Sequence, residues 1–390
     1  MAFRIRLTVF LLAGVLIFSG CNVNEYPDYI QYEFRTHGYI ADNKKAELTL
    51  EPDKATQLNE LLKPHFGIPA QPVVRGTPGD EMSTDDAAIL TAPDMQLDDA
   101  SLKRGSILYR QHCLYCHGIN GDGGGPTGQF LNPRPRDFRT GLFKFRSTAK
   151  HDDQGKVDAS AVTPPSRSDL LKTLRHGVPT ASMPSFTLLP ETDLNALVSY
   201  VIHLSLRGQT EIDVAKRMNA GDVPSSNDVG DIVMKLAKRW QKDSAKRLVP
   251  KPPVEGWDVV ANKGRSTNWQ LGRQIYLTVG GCVQCHGKDG SASAVEVPDN
   301  LTRLDSWGYL NPPRNLHIGV YRGGSRPIDI FYRIKLGIAG SGMPAAADFW
   351  QTEPVKPGEP PKPMRPFTDE EIWSLVDYVM SMPAQRAGAK

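Results

Sequence analysis

The chain has 390 residues, of which 39% are hydrophobic and 23% are charged. This length predicts two or three domains, and the apolar fraction is sufficient for cores but too low for an integral membrane protein. The formal net charge of +3 is close to balance and argues against general nucleic-acid binding. The 35 glycines and 31 prolines predict small domains held in long irregular loops.

The N-terminus has the pattern of an export signal. Arg4 and Arg6 precede a continuous apolar run over residues 7–18, which is too short for a bilayer span of about 20 residues and is typical of a signal-peptide core. The small residues before Cys21 are similar to a bacterial lipobox, in which the cysteine is lipidated after the signal peptide, here residues 1–20, is removed. An ordinary secretory signal that leaves Cys21 as a free thiol is the alternative. Both interpretations predict export, and the first predicts a periplasmic protein held on a bacterial membrane by its lipid.

Residues 21–96 are polar and rich in Pro, Asp and Lys, with one helical fragment at 55–62. This composition predicts an irregular N-terminal tether, whose end-to-end distance would be about 50 Å if it were flexible. An extension that is partly draped over the body is the alternative. A tether of that length would let a globular head move away from a membrane surface.

Four sequence blocks recur in the same order in two parts of the chain. Each part has an amphipathic helix that runs into a Cys-x-x-Cys-His motif, a Leu-Asn-Pro segment, a glycine followed six positions later by Met-Pro, and an apolar closing helix. The first three blocks lie at 102–118, 131–138 and 174–184 in one part and at 269–287, 310–316 and 334–344 in the other. This order predicts two copies of one all-α, loop-rich domain, over residues 97–206 and 266–384.

The segment 207–265 joins the two copies and contains a predicted amphipathic helix. Apolar residues trace one stripe of that helix, and basic residues lie on the opposite side. The stripe consists of Val229, Ile232, Val233, Leu236 and Trp240. Packing of this stripe on a neighbouring domain is the ordinary interpretation, and contact with lipid or an acidic partner is the alternative.

Two Cys-x-x-Cys-His motifs, at 113–117 and 282–286, use four of the five cysteines. A structural zinc site requires four ligands, and neither copy contains a second pair of cysteines or histidines to complete one. A redox dithiol of this spacing normally lies in a βαβ unit, and neither copy has a strand pattern. Covalent haem attachment fits better, because both thiols then add to the porphyrin vinyl groups and the adjacent histidine binds the iron.

The motifs therefore predict two covalently bound c-type haems. His117 and His286 would be the proximal ligands of the two irons. The thioether bonds would be formed by four cysteines, Cys113, Cys116, Cys282 and Cys285.

The order of helix, CxxCH motif, Pro-containing loop, Gly-x5-Met-Pro loop and closing helix resembles class I c-type cytochromes, twice in tandem. The resemblance covers residues 97–206 and 266–384, and it implies that Met183 and Met343 are the distal iron ligands. Thioether ligation raises the reduction potential relative to a second imidazole. Both haems are therefore expected to accept electrons from a mid-potential donor.

Two alternatives for the distal ligands stay open. His176 lies seven residues before Met183 but has no counterpart in the second copy, where Leu336 stands. Met364 could compete with Met343, but it lies in a Pro-rich insertion that the first copy lacks. Three further histidines without counterparts are expected on the surface or in the core, namely His112, His203 and His317.

Arginines and tyrosines also recur at matched positions. Arg136 and Arg314 follow the Leu-Asn-Pro segments, and a planar guanidinium can bind a haem propionate through two hydrogen bonds; solvent-exposed arginines are the alternative. Tyr109 and Tyr276, near the ends of the first helices, are expected in the helix contact or at the haem edge. The first copy also has a basic stretch that could steer an acidic partner, with a solvated face as the alternative. Its residues are Arg139, Lys144 and Arg146.

Together these features predict a membrane-tethered dihaem cytochrome c that transfers electrons between respiratory-chain components. It would act as a free carrier or as the cytochrome subunit of a quinol-oxidising complex or terminal oxidase. Redox proteins are the expected partners, and neither nucleic acid nor a small-molecule substrate is expected. The alternative is a redox enzyme resembling a dihaem cytochrome c peroxidase, which needs one iron with an open distal position. The Met-Pro loop in both copies favours the carrier.

Overall fold

The computed structural model describes residues 31–35, 37–41, 44–77, 82–151, 157–159, 161–252, 269–278, 280–292, 304–346 and 366–388. The predicted signal peptide, Cys21 and Met364 lie outside these ranges. Within them, no helix combines the length and the apolar character needed to cross a membrane.

The described part of the chain forms eleven α-helices and three two-stranded antiparallel sheets, which confirms the predicted all-α class. The helices are α1 (Pro52–Phe66), α2 (Thr84–Leu90), α3 (Asp99–His112), α4 (Leu114–His117), α5 (Arg167–His176), α6 (Glu191–Asn219), α7 (Ser226–Ser244), α8 (Trp269–Leu277), α9 (Val283–His286), α10 (Pro327–Leu336) and α11 (Asp369–Gly388). The strand pairs are β1 (His37–Ala41) with β2 (Lys44–Leu48), β3 (Gly67–Ile68) with β4 (Gln71–Pro72), and β5 (Lys150–His151) with β6 (Val157–Asp158). Short 3₁₀ turns lie at Gly128–Phe130 and Leu316–Ile318.

Each predicted copy is built on the crossing of its first and last helix, α3 with α6 and α8 with α11. Gly105 and Gly272 lie at these crossings. A methyl group on either glycine would overlap a backbone carbonyl oxygen of the partner helix, that of Ala196 or that of Ser374. Since glycine alone has no Cβ, the same residue in both copies permits the same close approach of two helix backbones.

The interpretation of residues 21–96 as a free tether is wrong where the structure describes residues 48–77 and 82–96, and the alternative of an extension packed on the body holds there. Helix α1 packs on α6 and α7, and α2 packs on α7. Six apolar side chains of this region are at most 1% exposed, namely Leu58, Leu62, Phe66, Val74, Leu90 and Met95. Burial of one such side chain stabilises the folded state by about 1.5–3 kcal/mol, so a few of them are enough to fold a segment whose average composition is polar. The segment is therefore a folded extension of the first copy.

The segment between the copies also differs from its predicted bounds. Helix α6 continues past residue 206 and ends at Asn219. The amphipathic helix is α7, and Val229, Val233 and Trp240 of its stripe are at most 2% exposed. These side chains belong to the core of the first copy, so the ordinary interpretation of the stripe is confirmed.

The two copies contact each other directly. Lys172 forms an ion pair with Asp329, and Nη2 of Arg146 donates to the carbonyl oxygen of Leu336 (3.1 Å). Leu248, near the end of the linker, is buried in the core of the second copy. These contacts bring α5 and the loop of Arg146 in the first copy against α10 of the second.

Candidate haem-binding sites

Both Cys-x-x-Cys-His motifs fold into a single turn of helix after the first helix of their copy. In α4, the amide of His117 donates to the carbonyl oxygen of Cys113 (2.8 Å). In α9, the amide of His286 donates to the carbonyl oxygen of Cys282 (2.9 Å). Each motif therefore presents its two thiols and its imidazole from one short element.

A glycine and a tyrosine anchor the end of each motif helix. Gly118 and Gly287 have φ values of 76° and 74°, which glycine adopts without strain. Their carbonyl oxygens accept hydrogen bonds from the hydroxyls of Tyr109 (2.7 Å) and Tyr276 (2.8 Å). Both tyrosines are at most 1% exposed and lie in the contact of the first and last helices, as predicted.

The two motif histidines have the same tautomer and partner type. Nδ1 of His117 lies 3.1 Å from the carbonyl oxygen of Arg136, and Nδ1 of His286 lies 3.0 Å from that of Arg314. A carbonyl can only accept, so Nδ1 carries the proton and Nε2 keeps its lone pair. Burial lowers the pKa of His117 to about 4 and also lowers the pKa of His286. Both rings are therefore neutral at pH 7, the form in which imidazole binds a metal.

The thiols do not have the environment of a redox dithiol. All four motif cysteines are free, and burial raises the pKa of Cys113 and of Cys282 to about 12. A redox dithiol depends on a thiolate with a lowered pKa, so that chemistry is disfavoured here. Among the described residues, no three His, Cys, Asp or Glu side chains form a group that could hold a metal ion.

The two predicted methionine loops share their backbone hydrogen bonds. The amide that follows the glycine donates to the carbonyl oxygen of Met183 (3.1 Å) in the first loop and of Met343 (3.0 Å) in the second. Gly177 and Gly337 have φ values of 63° and 65°. A methyl group on them would lie 2.6 Å from the Met183 oxygen or 2.8 Å from the Met343 oxygen. Glycine thus permits each loop to close back on itself, which accounts for the constant spacing.

The other candidate ligands lie in different settings. His176, the alternative to Met183, is exposed at the end of α5, with Nδ1 2.9 Å from the carbonyl oxygen of Lys172. The remaining histidines lie on the surface or in the core, as expected: His112 is exposed, His317 is half-buried, and His203 is fully buried.

The two arginines predicted to contact propionates are both half-buried rather than exposed. The guanidinium of Arg136 lies 3.8 Å from the ring centre of Trp307 in the second copy, and burial lowers the pKa of Arg136 to about 9. Nη2 of Arg314 donates to the carbonyl oxygen of Val320 in its own copy (3.2 Å). Nη2 of Arg136 and Nε of Arg314 are buried and have no hydrogen-bond partner among the described residues. Such cationic donors fit the carboxylates of the haem that the motif implies.

The predicted basic patch of the first copy is wrong. Arg139 is 3% exposed, and its Nε and Nη2 donate to the two carboxylate oxygens of Asp137 (3.0 Å each). Arg146 is 5% exposed and donates to the carbonyl oxygen of Thr148 (2.8 Å). Lys144 is half-buried. The arginines serve as internal hydrogen-bond donors, because loop carbonyls and one carboxylate surround them.

A buried polar cluster on α6 was missed by the sequence reasoning. His203, Arg207 and Glu211 are at most 2% exposed, and Nη1 of Arg207 donates to Oε2 of Glu211 (3.1 Å). Tyr32, from the N-terminal extension, lies beneath the Arg207 guanidinium and has its hydroxyl 3.1 Å from Nε2 of His203. The spacing of these polar residues, every four positions, places them on one face of a helix. Such a pattern normally indicates an exposed face, so the sequence did not predict that this face is buried.

Two family models match the chain. Residues 100–201 match the family described as cytochrome c oxidase, cbb3-type, subunit III, and residues 269–383 match the family cytochrome c. Each match contains one CxxCH motif and one Met-Pro loop. The chain is therefore a c-type cytochrome. It has two tandem cytochrome c domains, hereafter domain 1 and domain 2, which bind two haems covalently and serve electron transfer.

No curated protein matches the chain. Among solved structures, a similar chain belongs to the Kuenenia stuttgartiensis reducing HAO-like protein complex Kustc0457/Kustc0458. It is 23% identical, with 72% of this chain and 96% of that chain covered, and the TM-score is 0.48. A score below 0.5 supports no conclusion about this chain.

Proposed function

We propose that each domain holds its haem with two cysteines, a proximal histidine and a distal methionine. These residues are Cys113, Cys116, His117 and Met183 in domain 1, and Cys282, Cys285, His286 and Met343 in domain 2. Bound haem supplies a one-electron iron couple, whose potential a methionine ligand raises. The observation that supports this assignment is the repetition of the same hydrogen bonds around histidine and methionine loop in both domains.

The surrounding residues would orient these ligands. The carbonyl oxygens that accept from Nδ1 of His117 and His286 hold each ring in one orientation and keep Nε2 available. The unpaired guanidinium nitrogens, Nη2 of Arg136 and Nε of Arg314, would donate hydrogen bonds to the haem carboxylates. The histidine imidazole and the methionine thioether would both bind the iron as uncharged ligands.

We further propose that the protein is anchored to a bacterial membrane, outside the cytoplasm, by a lipid on Cys21. The signal pattern and the lipobox-like sequence support this location. In the respiratory chain it would pass electrons between a quinol-oxidising complex and a terminal oxidase, as a free carrier or as a subunit of one of them. The match of domain 1 to a family described as a cbb3-type oxidase subunit supports the oxidase as partner.

A redox enzyme resembling a dihaem peroxidase is the alternative function. Such catalysis needs one iron whose distal position is open or easily opened. The loops of Met183 and Met343 have matching hydrogen bonds, so neither domain is distinguished as an open site. We therefore favour a carrier over an enzyme.

Visible absorption spectroscopy of oxidised and reduced protein, with and without CO, tests this function. We expect two low-spin haems that do not bind CO in the wild type. Met183→Ala and Met343→Ala should each remove about half of the weak sulfur-to-iron charge-transfer band, and each should allow CO to bind at one haem.

Two control variants separate the alternative ligands. His176→Ala and Met364→Ala should leave the charge-transfer band unchanged. A high-spin or CO-binding haem in the wild type would contradict the carrier function for that domain and favour an enzyme.

A further inference from the structure

Arg136 contacts structural elements of both candidate haem sites. Its carbonyl oxygen accepts the Nδ1 hydrogen bond of His117 in domain 1 (3.1 Å). Its guanidinium stacks on Trp307 of domain 2, 3.8 Å from the ring centre, a distance at which a cation–π interaction is favourable. The main chain of one residue thus belongs to one site, while its side chain reaches toward the other.

Trp307 in turn supports the loop that carries Met343. Gly340 of this loop packs so closely on the Trp307 ring that a methyl group there would overlap ring carbons. The amide next to the tryptophan, that of Ser306, donates to the carbonyl oxygen of Gly340 (3.0 Å). A displacement of the tryptophan ring would therefore be transmitted to the methionine loop.

The charge of Arg136 has no carboxylate hydrogen-bonded to it in the described structure. Asp137 is paired with Arg139, and Oδ1 of Asp305 accepts two backbone amides of its own segment (3.0 Å each). Nη2 of Arg136 is buried and has no hydrogen-bond partner in the part of the chain that the structure describes. The carboxylates of Asp305 and Asp137 thus act on Arg136 through space only. Since a buried donor without an acceptor is costly, a haem carboxylate at this position would complete the site.

We infer that Arg136 couples the two haem sites, so that the reduction potential of each depends on a residue shared with the other. This inference rests on the proposed ligands. A nearby positive charge disfavours the oxidised iron, which carries one more positive charge, so Arg136 raises both potentials. Its main chain also orients His117, and its stack holds Trp307 against the methionine loop.

Arg314 is the matched control, because it has the same place in domain 2. Its carbonyl oxygen accepts the hydrogen bond of His286 (3.0 Å). Its guanidinium, however, donates to Val320 within domain 2 (3.2 Å). Arg314 is thus expected to affect one haem, whereas Arg136 is expected to affect two.

Optical redox titration of the holoprotein tests the inference by measuring the midpoint potential of each haem. Met183→His and Met343→His assign the two potentials, because each variant should lower the potential of its own domain. We expect Arg136→Gln to lower both midpoint potentials, with a several-fold change in the reduction equilibrium of each haem. Arg314→Gln should lower that of domain 2 alone. Arg136→Lys, which keeps the charge, should produce smaller shifts in the same direction and serves if Arg136→Gln does not fold.

A double-mutant cycle tests whether the effect passes through the stack. Trp307→Leu should shift both potentials in the wild-type background, but only the domain 2 potential in the Arg136→Gln background. The inference is wrong if Arg136→Gln shifts the domain 1 potential alone, or if the Trp307→Leu shift in domain 1 persists without Arg136. Failure of the proposed function is distinct, because it would appear as missing haem or a missing methionine band in the wild type.

Discussion

At the scale of single residues, His203 shows how burial sets protonation. Nε2 of His203 lies 3.1 Å from the Tyr32 hydroxyl, and its ring stacks on Tyr200 with centroids 5.3 Å apart. Burial and, secondarily, the positive charge of Arg207 lower the pKa of His203 to about 3 from its ordinary 6.5. The folded protein therefore keeps this ring neutral at pH values where the unfolded chain protonates it.

We expect His203→Gln to flatten the acid side of the stability profile. As pH falls from about 6.5 to about 3, the unfolded wild-type chain takes up the His203 proton first. In that range His203 alone lowers the free energy of unfolding by about 1.4 kcal/mol for each unit by which the pH falls. Above pH 7 it has no effect on how stability depends on pH. Urea unfolding of both proteins at pH 7, 5.5 and 4.5 measures the difference in slope.

The control for this prediction is His112→Gln, because His112 is exposed on α3 and its substitution removes an imidazole without changing the core. Parallel pH profiles for wild type and His203→Gln would contradict the prediction. They would mean that His203 is protonated equally easily in the folded and unfolded states.

At the scale of secondary-structure elements, the helix crossings define each domain. Gly105→Ala and Gly272→Ala should each destabilise the protein by about 1–3 kcal/mol, the usual cost of overpacking, because the added methyl group meets a backbone carbonyl oxygen of the partner helix. Urea denaturation measures the loss. Lys103→Ala, at an exposed position of α3, should change stability by less than about 0.5 kcal/mol. Wild-type stability in the glycine variants would show that the helices can separate at no cost.

The helices that carry the haem motifs could be predicted from the sequence, because their apolar spacing and their repetition are local properties. The folded extension at 48–77 and 82–96 could not, because its few apolar residues are diluted by polar ones and their partners lie on α6 and α7. The true end of α6 was missed for a related reason. Arg207 and Glu211 are polar residues that usually indicate a helix surface, yet here they pair with each other inside the protein.

The site shows the same division between local and distant information. The CxxCH motifs and the loops of Met183 and Met343 could be found because residue type and spacing carry the chemistry. The stacking of Arg136 on Trp307 could not be found, because it joins positions from different domains that share no sequence pattern. The sequence therefore predicts the contents of each domain better than the contacts between them.

At the scale of the whole molecule, the units of packing differ from the units of sequence repetition. Ala149 and Ala159 lie within the sequence span of domain 1 but are buried in the core of domain 2, together with Leu248 from the linker. The amide of Ala149 donates to the carbonyl oxygen of Lys246 (3.1 Å). Two segments outside the repeat of domain 2 thus complete its core, so the stability of domain 2 should depend on domain 1.

Arg146 is the residue whose removal best tests this dependence. Its Nη1 donates to Thr148 (2.8 Å) and Thr163 (3.0 Å) in domain 1, and its Nη2 donates to the carbonyl oxygen of Leu336 in domain 2 (3.1 Å). Burial lowers the pKa of Arg146 to about 10, so it stays cationic at pH 7. Leu336 is the last residue of α10, where the helix dipole favours a positive charge.

We expect Arg146→Met to lower the free energy of unfolding by about 2–3 kcal/mol, because buried acceptors would lose a charged donor. We also expect the two domains of this variant to melt at different temperatures. Differential scanning calorimetry of the holoprotein should show one transition for the wild type and two for the variant. Arg239→Met is the control, because this arginine of α7 has a side chain that is 57% exposed and should change neither stability nor transition number. A single transition at lower temperature in Arg146→Met would contradict this prediction. It would mean that the Arg146 contact stabilises the protein without linking the unfolding of its domains, which would then depend on the Lys172–Asp329 ion pair and on Leu248.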